Sequence, residues 1–408
     1  MCIKGLFVIA LLFSTNLFAQ KKDSIIQYLN NKALKYLIRD EELKNYFTIN
    51  SNGVFIYRNV ADKKNNKYEF YVPIEKIDSV ASIINTNYKF FDECYNLSLK
   101  NRSNIKAPDT LIKKINSKGL TGKRIAIDPG HISNGLSDAK IEGKCVKFKA
   151  DSANDRAIIE GQLTYAVAYL LKEKLEKEGA VVFLTRQGYG KSSLNQTFND
   201  WLTSDSSGYA YKQLNDKELK KIFLLYNNRD IVNRCQLINN FNPDVTVIIH
   251  FNVDEKNLKW EKPTTKNYNM IFVPGAMSKG DLNIQKNRKE FVRLLLTNHW
   301  EESVKVSGFV INSFEQLLGV PTALPNDADY LTQKSLQTPV KGVYARNLAL
   351  CRLVHSPLLY GETLYQDNEQ EYIRLTNKNI EVQGEIVSDR LLEVANAYFE
   401  GIKAYFNN

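Results

Sequence analysis

Four histidines are distributed over 408 residues, and two of them sit where a divalent cation could be gripped. His131 follows the strand-like run Arg124–Asp128 through Pro129 and Gly130, and His250 closes the strongly apolar run Val245–Ile249. Glu160 stands at the first turn of a helical stretch that is otherwise apolar. Two imidazoles and one carboxylate are donors that zinc prefers, and three protein ligands leave its fourth tetrahedral position to water, as in catalytic rather than structural sites. The separations are 29 and 90 residues (160 − 131 and 250 − 160), so no local motif supports the grouping. On residue types alone a bland reading stays open: His131 capping a loop, His250 buried and hydrogen-bonded.

The other candidate is a lone acid. Glu362 follows four apolar or small residues, Leu358–Gly361, and could exchange protons with reacting atoms as a general acid/base. Glu142 could rival Glu160 as a ligand, but it stands in the polar, lysine-rich stretch 140–149, read as a loop with no helix to position it. His355 precedes the terminal strand, where it could contact substrate, though a strand-end histidine is more often structural. His299, beside Trp300 on an amphipathic helix, reads as packing. Arg186 and Asn252 end central strands, where either could hold substrate or orient a loop.

Such groups need rigid elements, and the pattern after residue 120 supplies them. Arg124–Asp128 reads as a strand. Residues 155–178 repeat apolar positions at helical spacing (Ile159, Leu163, Val167, Leu170, Leu171, Leu175), with Gly179 as the stop before a strand at Val181–Thr185. A second helix near Arg229–Asn240 leads into Val245–Phe251. Further strands are expected at Met270–Val273 and Leu358–Gly361, and further helices near Asn287–Val304 and Ser388–Phe406. The alternation implies an α/β fold, a mixed and mostly parallel sheet flanked by helices, with functional groups gathered at strand ends.

The front of the chain differs in texture. Residues 21–120 hold 18 Lys+Arg against 11 Asp+Glu, a net of +7, whereas 121–408 hold 36 against 34, a net of +2. A helical start (Ser24–Leu37), alternating stretches at Tyr46–Tyr57 and Tyr68–Pro73 with a turn at Asn52-Gly53, and a helical Ile77–Ile84 read as a small basic α+β domain over 21–100. Residues 101–120 read as a linker. Residues 1–20 carry Lys4, a short apolar run and Ala19, the pattern of a secretory signal peptide, too short for a membrane span of about 20 residues. An exported chain with no transmembrane segment after signal cleavage is expected. Four cysteines beyond Cys2, widely spaced and without a Cys-x-x-Cys pair, make cysteine chemistry an improbable basis for function. The overall charge of +10 favours an anionic partner, and no nucleic-acid-binding motif is found.

Taken together, these segments resemble the zinc-dependent N-acetylmuramoyl-L-alanine amidases of cell-wall remodelling. Ile125-Ala-Ile-Asp-Pro-Gly-His131 looks like that family's opening strand and first metal ligand, and Glu160 with Thr185-Arg186 is similar to its second ligand and the strand end that follows. Arg234, Asn239, Asp244, His250 and Asn252 fall on its series around the third ligand. Pro357-Leu-Leu-Tyr-Gly-Glu362, with Tyr365 and Asn368 behind it, looks like its terminal strand with the essential glutamate. Two departures stand out: Ile132-Ser133-Asn134 replace the usual glycines, and Ile248 stands where a small serine is expected.

The resemblance implies Zn2+ held by His131, Glu160 and His250, a zinc-bound water as nucleophile, and Glu362 as general acid/base. It implies peptidoglycan as substrate, a periplasmic or extracellular location, and a catalytic domain over 121–408 with insertions at about 188–227 and 252–345. Some members cover the site with an insertion that a protein activator removes, so a cover around Pro321–Thr338 is a further expectation. Two other readings remain: a different exported zinc peptidase or amidohydrolase, and a non-catalytic cell-wall-binding protein on this scaffold.

Overall fold

A computed structural model describes residues 22–97, 118–148, 156–210 and 212–408. The signal peptide expected at 1–20 and most of the linker expected at 101–120 lie outside the described residues. The chain divides into two compact units. One holds the described residues before 98 together with Gly275–Asn298; the other holds those from 118 to Pro274 and from His299 to Asn408.

The first unit has a three-stranded antiparallel sheet, β1 (Phe47–Asn50), β2 (Gly53–Ile56) and β3 (Phe70–Pro73), in that order. Alternation sets its faces: Phe47, Ile49, Val54, Ile56, Phe70 and Val72 point into the core. The tight turn is made by Ser51-Asn52, one residue earlier than the sequence suggests. Gly53 is needed for another reason, since a Cβ there would lie 2.1 Å from the carbonyl oxygen of Val72 on β3. The helix Gln285–Leu296 completes this core, with Phe291 5.0 Å from the ring of Phe47. Its polar residues are tied down as well: Arg288 pairs with Glu69 at 2.7 Å and Tyr88 donates to Glu290 at 2.8 Å. The single helix expected over Asn287–Val304 is therefore two helices. Thr297 turns extended between them, and the second, His299–Leu318, belongs to the other unit.

The second unit carries the remaining strands: β4 (Arg124–Pro129), the short antiparallel pair β5 (Cys145–Val146) and β6 (Ile158–Ile159), β7 (Val181–Leu184), β8 (Val245–Asn252), β9 (Met270–Val273), β10 (Ser335–Gln337), β11 (Val343–Arg346), β12 (Leu358–Tyr365), and the hairpin β13 (Lys378–Val382) and β14 (Glu385–Ser388). Seven of them form the main sheet in the order β10-β11-β9-β12-β8-β4-β7. Four neighbouring pairs are parallel, while β10 with β11 and β9 with β12 are antiparallel, so the sheet is mixed and mostly parallel, flanked by helices.

All eight residues of β8 are buried, which fits a central strand covered on both faces. Each large aliphatic side chain so buried contributes about 1.5–3 kcal/mol relative to exposure. On one side Gly361 of β12 meets Tyr398 so closely that a Cβ would lie 2.0 Å from its hydroxyl, which brings the helix Arg390–Asn407 onto the sheet.

The stretch 252–346, which holds the insertion expected at about 252–345, supplies β9, β10 and β11. The stretch 321–338, expected as a cover, instead adds Ala323, Ala328 and Leu331 to the hydrophobic core and β10 to the sheet edge. The helix expected at Arg229–Asn240 begins at Asp216 and runs to Phe241. A reciprocal cap starts it: Asn215 accepts from the Glu218 amide at 3.1 Å and Glu218 accepts from the Asn215 amide at 2.9 Å. Its first turns hid from periodicity because Leu224 and Leu225 are 60% and 55% exposed and blur the apolar stripe.

Candidate active site

His131 leaves the end of β4 in the left-handed region, φ 59°. For a residue with a Cβ this costs about 1–2 kcal/mol, and it turns the imidazole back over the strand ends. Gly130 has to be glycine, since a Cβ there would come 2.1 Å from the ring of His250. Gly130→Ala is expected to drive the two imidazoles apart and weaken divalent-ion binding by at least tenfold, read by calorimetric titration beside a thermal melt. An unchanged affinity would show that the close approach has no bearing on the cluster.

Glu160 opens the helix Glu160–Lys177, directly after β6. The next residue is again glycine under constraint: a Cβ on Gly161 would lie 2.3 Å from the carbonyl oxygen of Ser133. His250 lies inside β8, two residues before its end. One ligand atom from each of His131, Glu160 and His250 lies within 4.8 Å of the other two, the only such group of His, Cys, Asp or Glu among the described residues. Glu160 Oε1 is 3.2 Å from His250 Nδ1 and 3.4 Å from His131 Nε2.

The other carboxylate oxygen of Glu160 is buried and accepts no hydrogen bond from the described residues; the ammonium of Lys144 stands 3.7 Å away. A buried, unpartnered carboxylate oxygen is costly unless a cation engages it. With two imidazoles beside it, the donor set fits a divalent ion of zinc type. Burial works against the charge of Glu160, but His131, Lys144 and His250 outweigh it and hold the carboxyl well below its ordinary range. Burial also pushes both imidazoles down, toward the neutral form that binds metals.

Glu142, set aside by the sequence for want of a helix, ends one: Leu136–Glu142, closed by Gly143 at φ 75°. It does not join the cluster but holds it from behind. Its Oε1 meets His131 Nδ1 at 3.1 Å, while Oε2 accepts from the Ser133 amide at 2.9 Å and from the Ser133 hydroxyl. A carboxylate on the outer nitrogen of a ligating histidine fixes its tautomer and raises its basicity. The signal that could have found it is the pair of residues standing where glycines were expected: Ile132 is buried in a cluster with Phe198 and Trp201, and Ser133 supplies the hydroxyl.

Burial disfavours the charge of Glu142, yet hydrogen bonds from His131 and Ser133 pull its carboxyl down to about 2 from an ordinary 4.5. The folded value lies below the unfolded one, so its stabilisation is complete above about 4.5 and lost as pH falls toward 2. Glu142→Gln should flatten that acid limb in denaturant titrations and weaken divalent-ion binding by about 10–100-fold. Unchanged affinity in chelator competition would leave His131 independent of it.

Glu362 lies in the middle of β12, not at its end, because the strand continues through an irregularity at Leu364 (φ 56°) to Tyr365. It is paired in register with His250 on β8, so both side chains share a face of the sheet. Burial, reinforced by the charge of Glu160, pushes its carboxyl up to about 8. Two residues earlier on the same face, Tyr360 stacks on the ring of His250, 4.6 Å between centroids and 8° between planes. All these groups open on one cleft of about 370 Å³, lined also by Lys144, Asn252 and the loop from Val253 to Trp260.

The remaining expected residues divide. Asn252 lines the cleft, with its amide donating to the Tyr330 hydroxyl at 2.9 Å. Arg186 does not: it is fully buried, reaching the Gly130 carbonyl at 3.3 Å and Thr164 Oγ1 at 3.4 Å. Arg234, Asn239 and Asp244 hold the scaffold. Arg234 pairs with Asp128 and Asp230, each at 3.0 Å; Asn239 bridges Leu353 and His355; Asp244 accepts from the Arg124 amide at 2.8 Å. Ile248 is core, and neither His299 nor His355 lines the cleft.

No curated protein matches the chain. Among solved structures, similarity is found to the CwlD amidase of Clostridioides difficile in complex with the GerS lipoprotein, at 18% identity over 70% of this chain and 98% of that one, TM-score 0.41. It is found also to an N-acetylmuramyl-L-alanine amidase of Mycobacterium abscessus (16%, 70% and 99%, TM-score 0.40) and to one of Nostoc punctiforme (13%, 72% and 100%, TM-score 0.38). Residues 125–270 match the profile of the family described as N-acetylmuramoyl-L-alanine amidase. The segment Ile125–Met270, which is similar to the N-acetylmuramoyl-L-alanine amidase family, carries all three clustered donors.

Proposed function

We propose that the protein is a zinc-dependent hydrolase that cuts the amide between the lactyl group of N-acetylmuramic acid and the first L-alanine of the stem peptide, outside the cytoplasm, in cell-wall remodelling or daughter-cell separation. The observation that carries this reading is the triad of His131, Glu160 and His250 with an unpartnered Glu160 oxygen, on the segment that matches the family profile. His131 and His250 would bind the ion through ring nitrogens and Glu160 through its carboxylate. A bound zinc ion supplies Lewis acidity and a water ionisable near neutral pH.

The chain's own residues do the rest. Glu142 fixes the tautomer of His131, and Tyr360 keeps the His250 ring in plane. In its ionised form, whose share grows as pH rises toward about 8, Glu362 takes the proton of the attacking water and returns it to the departing nitrogen. Asn252 and the 253–260 loop border the space the substrate would fill. The net positive front unit would prolong residence on an anionic wall polymer, an effect that salt weakens. No helix among the described residues is long and apolar enough to cross a membrane.

The test is digestion of purified sacculi with free-amine and reducing-end analysis, run with metal content measured before and after chelation. The expected result is about one zinc per chain, release of stem peptides beginning with L-alanine, loss of both on chelation and recovery with zinc. Peptides cut internally would overturn the substrate in favour of another zinc peptidase. Binding without any release would favour the non-catalytic alternative.

A further inference from the structure

We propose that Lys144 is a catalytic residue, an ammonium that donates a hydrogen bond to the scissile carbonyl oxygen as negative charge develops on it. The assignment rests on the amide-hydrolase reading above but concerns a residue that reading does not use. Among the described residues, Lys144 is the only lysine or arginine lining the cleft. Its ammonium lies 3.7 Å from Glu160 Oε2 and 4.8 Å from the centre of the Trp260 ring, with its side chain 31% exposed. None of its three donors makes a hydrogen bond to a described residue. A cation–π contact steadies the stem without consuming those donors.

The backbone fixes this placement. Gly143 at φ 75° closes the helix that ends in Glu142, the Lys144 amide returns to the Ala139 carbonyl at 2.8 Å, and the Lys144 carbonyl accepts from the Glu160 amide at 3.3 Å. Pairing of β5 with β6 continues the tie. One short stretch therefore carries the carboxylate that steadies His131 and, two residues on, a cation facing Glu160.

A divalent ion on Glu160 would share that carboxylate's charge and weaken its pull on Lys144, leaving ammonium donors available to an oxygen in the cleft. The step balances as follows. The water oxygen bonds to the carbonyl carbon, the C=O π pair moves onto the carbonyl oxygen, and the water proton passes to Glu362. The pair then re-forms the C=O bond as the C–N bond breaks, and Glu362 gives the proton to the leaving nitrogen. Lys144 gains or loses no proton; it stabilises the charged oxygen, a contribution of the kind that costs about 10²–10³ in kcat when one such donor is removed.

The experiment compares wild type with Lys144→Met, which keeps the stem over Trp260, and Lys144→Arg. Read-outs are zinc content, kcat, KM and inhibition by an analogue with a phosphinate in place of the scissile amide. Expected for Lys144→Met are unchanged zinc, a KM within about threefold, kcat reduced about 10²–10³-fold and phosphinate affinity reduced in parallel, with partial recovery in Lys144→Arg. An unchanged kcat, or a loss confined to KM, or loss of zinc in both variants, would overturn the assignment. A wild type that cuts a different amide would overturn only the substrate reading, because the lysine is then judged on that amide. A wild type that cuts none would overturn both.

Discussion

Glu362→Gln should lower kcat on peptidoglycan by about 10²–10⁴-fold, equivalent to roughly 2.7–5.4 kcal/mol of barrier, while zinc content stays at the wild-type level. The separation of the two effects follows from position. Glu362 lies outside the triad of donors that share a cation, yet it is in register with His250 and opens on the same cleft. The glutamine keeps the volume and polarity of the side chain and removes only its capacity to carry a proton. Burial and the negative charge of Glu160 already disfavour an ionised carboxyl here, so the variant should melt no lower than wild type. Metal analysis, a thermal melt and a rate on sacculi decide it: full activity removes Glu362 from the mechanism, and lost metal makes it a ligand.

The second large effect is on stability. Arg234 is 4% exposed and joins Asp128, at the end of β4, to Asp230 on the helix Asp216–Phe241. Burial opposes its charge, and the two carboxylates more than offset that, so the guanidinium stays protonated. Arg234→Met would leave both carboxylates buried with only neutral hydrogen-bond partners, Thr185 on Asp128 and the Ser193 amide and hydroxyl on Asp230, and with the Arg186 charge nearby. Breaking a buried pair from one side costs about 3–5 kcal/mol, here with two anions exposed to the loss. Urea denaturation should show a midpoint shift of that size with an unchanged slope. A shift under 1 kcal/mol would mean that water or Arg186 takes over the neutralisation. Because Asp128 lies three residues before His131, divalent-ion affinity should fall as well.

What the sequence disclosed about this architecture follows from the range of the interactions involved. The strands β4, β7, β8 and β12 were readable because each is a short apolar run between turn signals, and the helix after Glu160 because its apolar positions recur at helical spacing. β10 and β11 were not, since Ser335–Gln337 and Val343–Arg346 have little apolar pattern of their own: β11 is made a strand by pairing with the distant β9, and β10 by pairing with β11. The hairpin of β13 and β14 was passed over although Gln383 and Gly384, at φ 52° and 82°, form the kind of two-residue turn that such hairpins favour.

The site follows the same division. His131, Glu160 and His250 could be grouped from chemistry and family resemblance, but their convergence within a few ångströms depends on where β4 and β8 lie side by side. Glu142 was misjudged because a seven-residue helix in a lysine-rich stretch leaves little periodicity to read. Of the two roles left open for Arg186, its burial favours orienting the loop, because the end of a strand can face the interior as readily as the cleft.

The path of the chain through Gly275–Asn298 has a practical outcome for anyone shortening the protein. That excursion leaves from Pro274 and rejoins at His299, and its helix brings Phe291 against Phe47 and Arg288 against Glu69. Trimming residues before 118 would strip the partners from a helix whose last ten residues are buried, while leaving that helix attached. A sticky, charge-bearing stub would result. The basic front region is thus not a detachable appendage: a protease would have to cut on both sides of the excursion, as well as before 118, to free it.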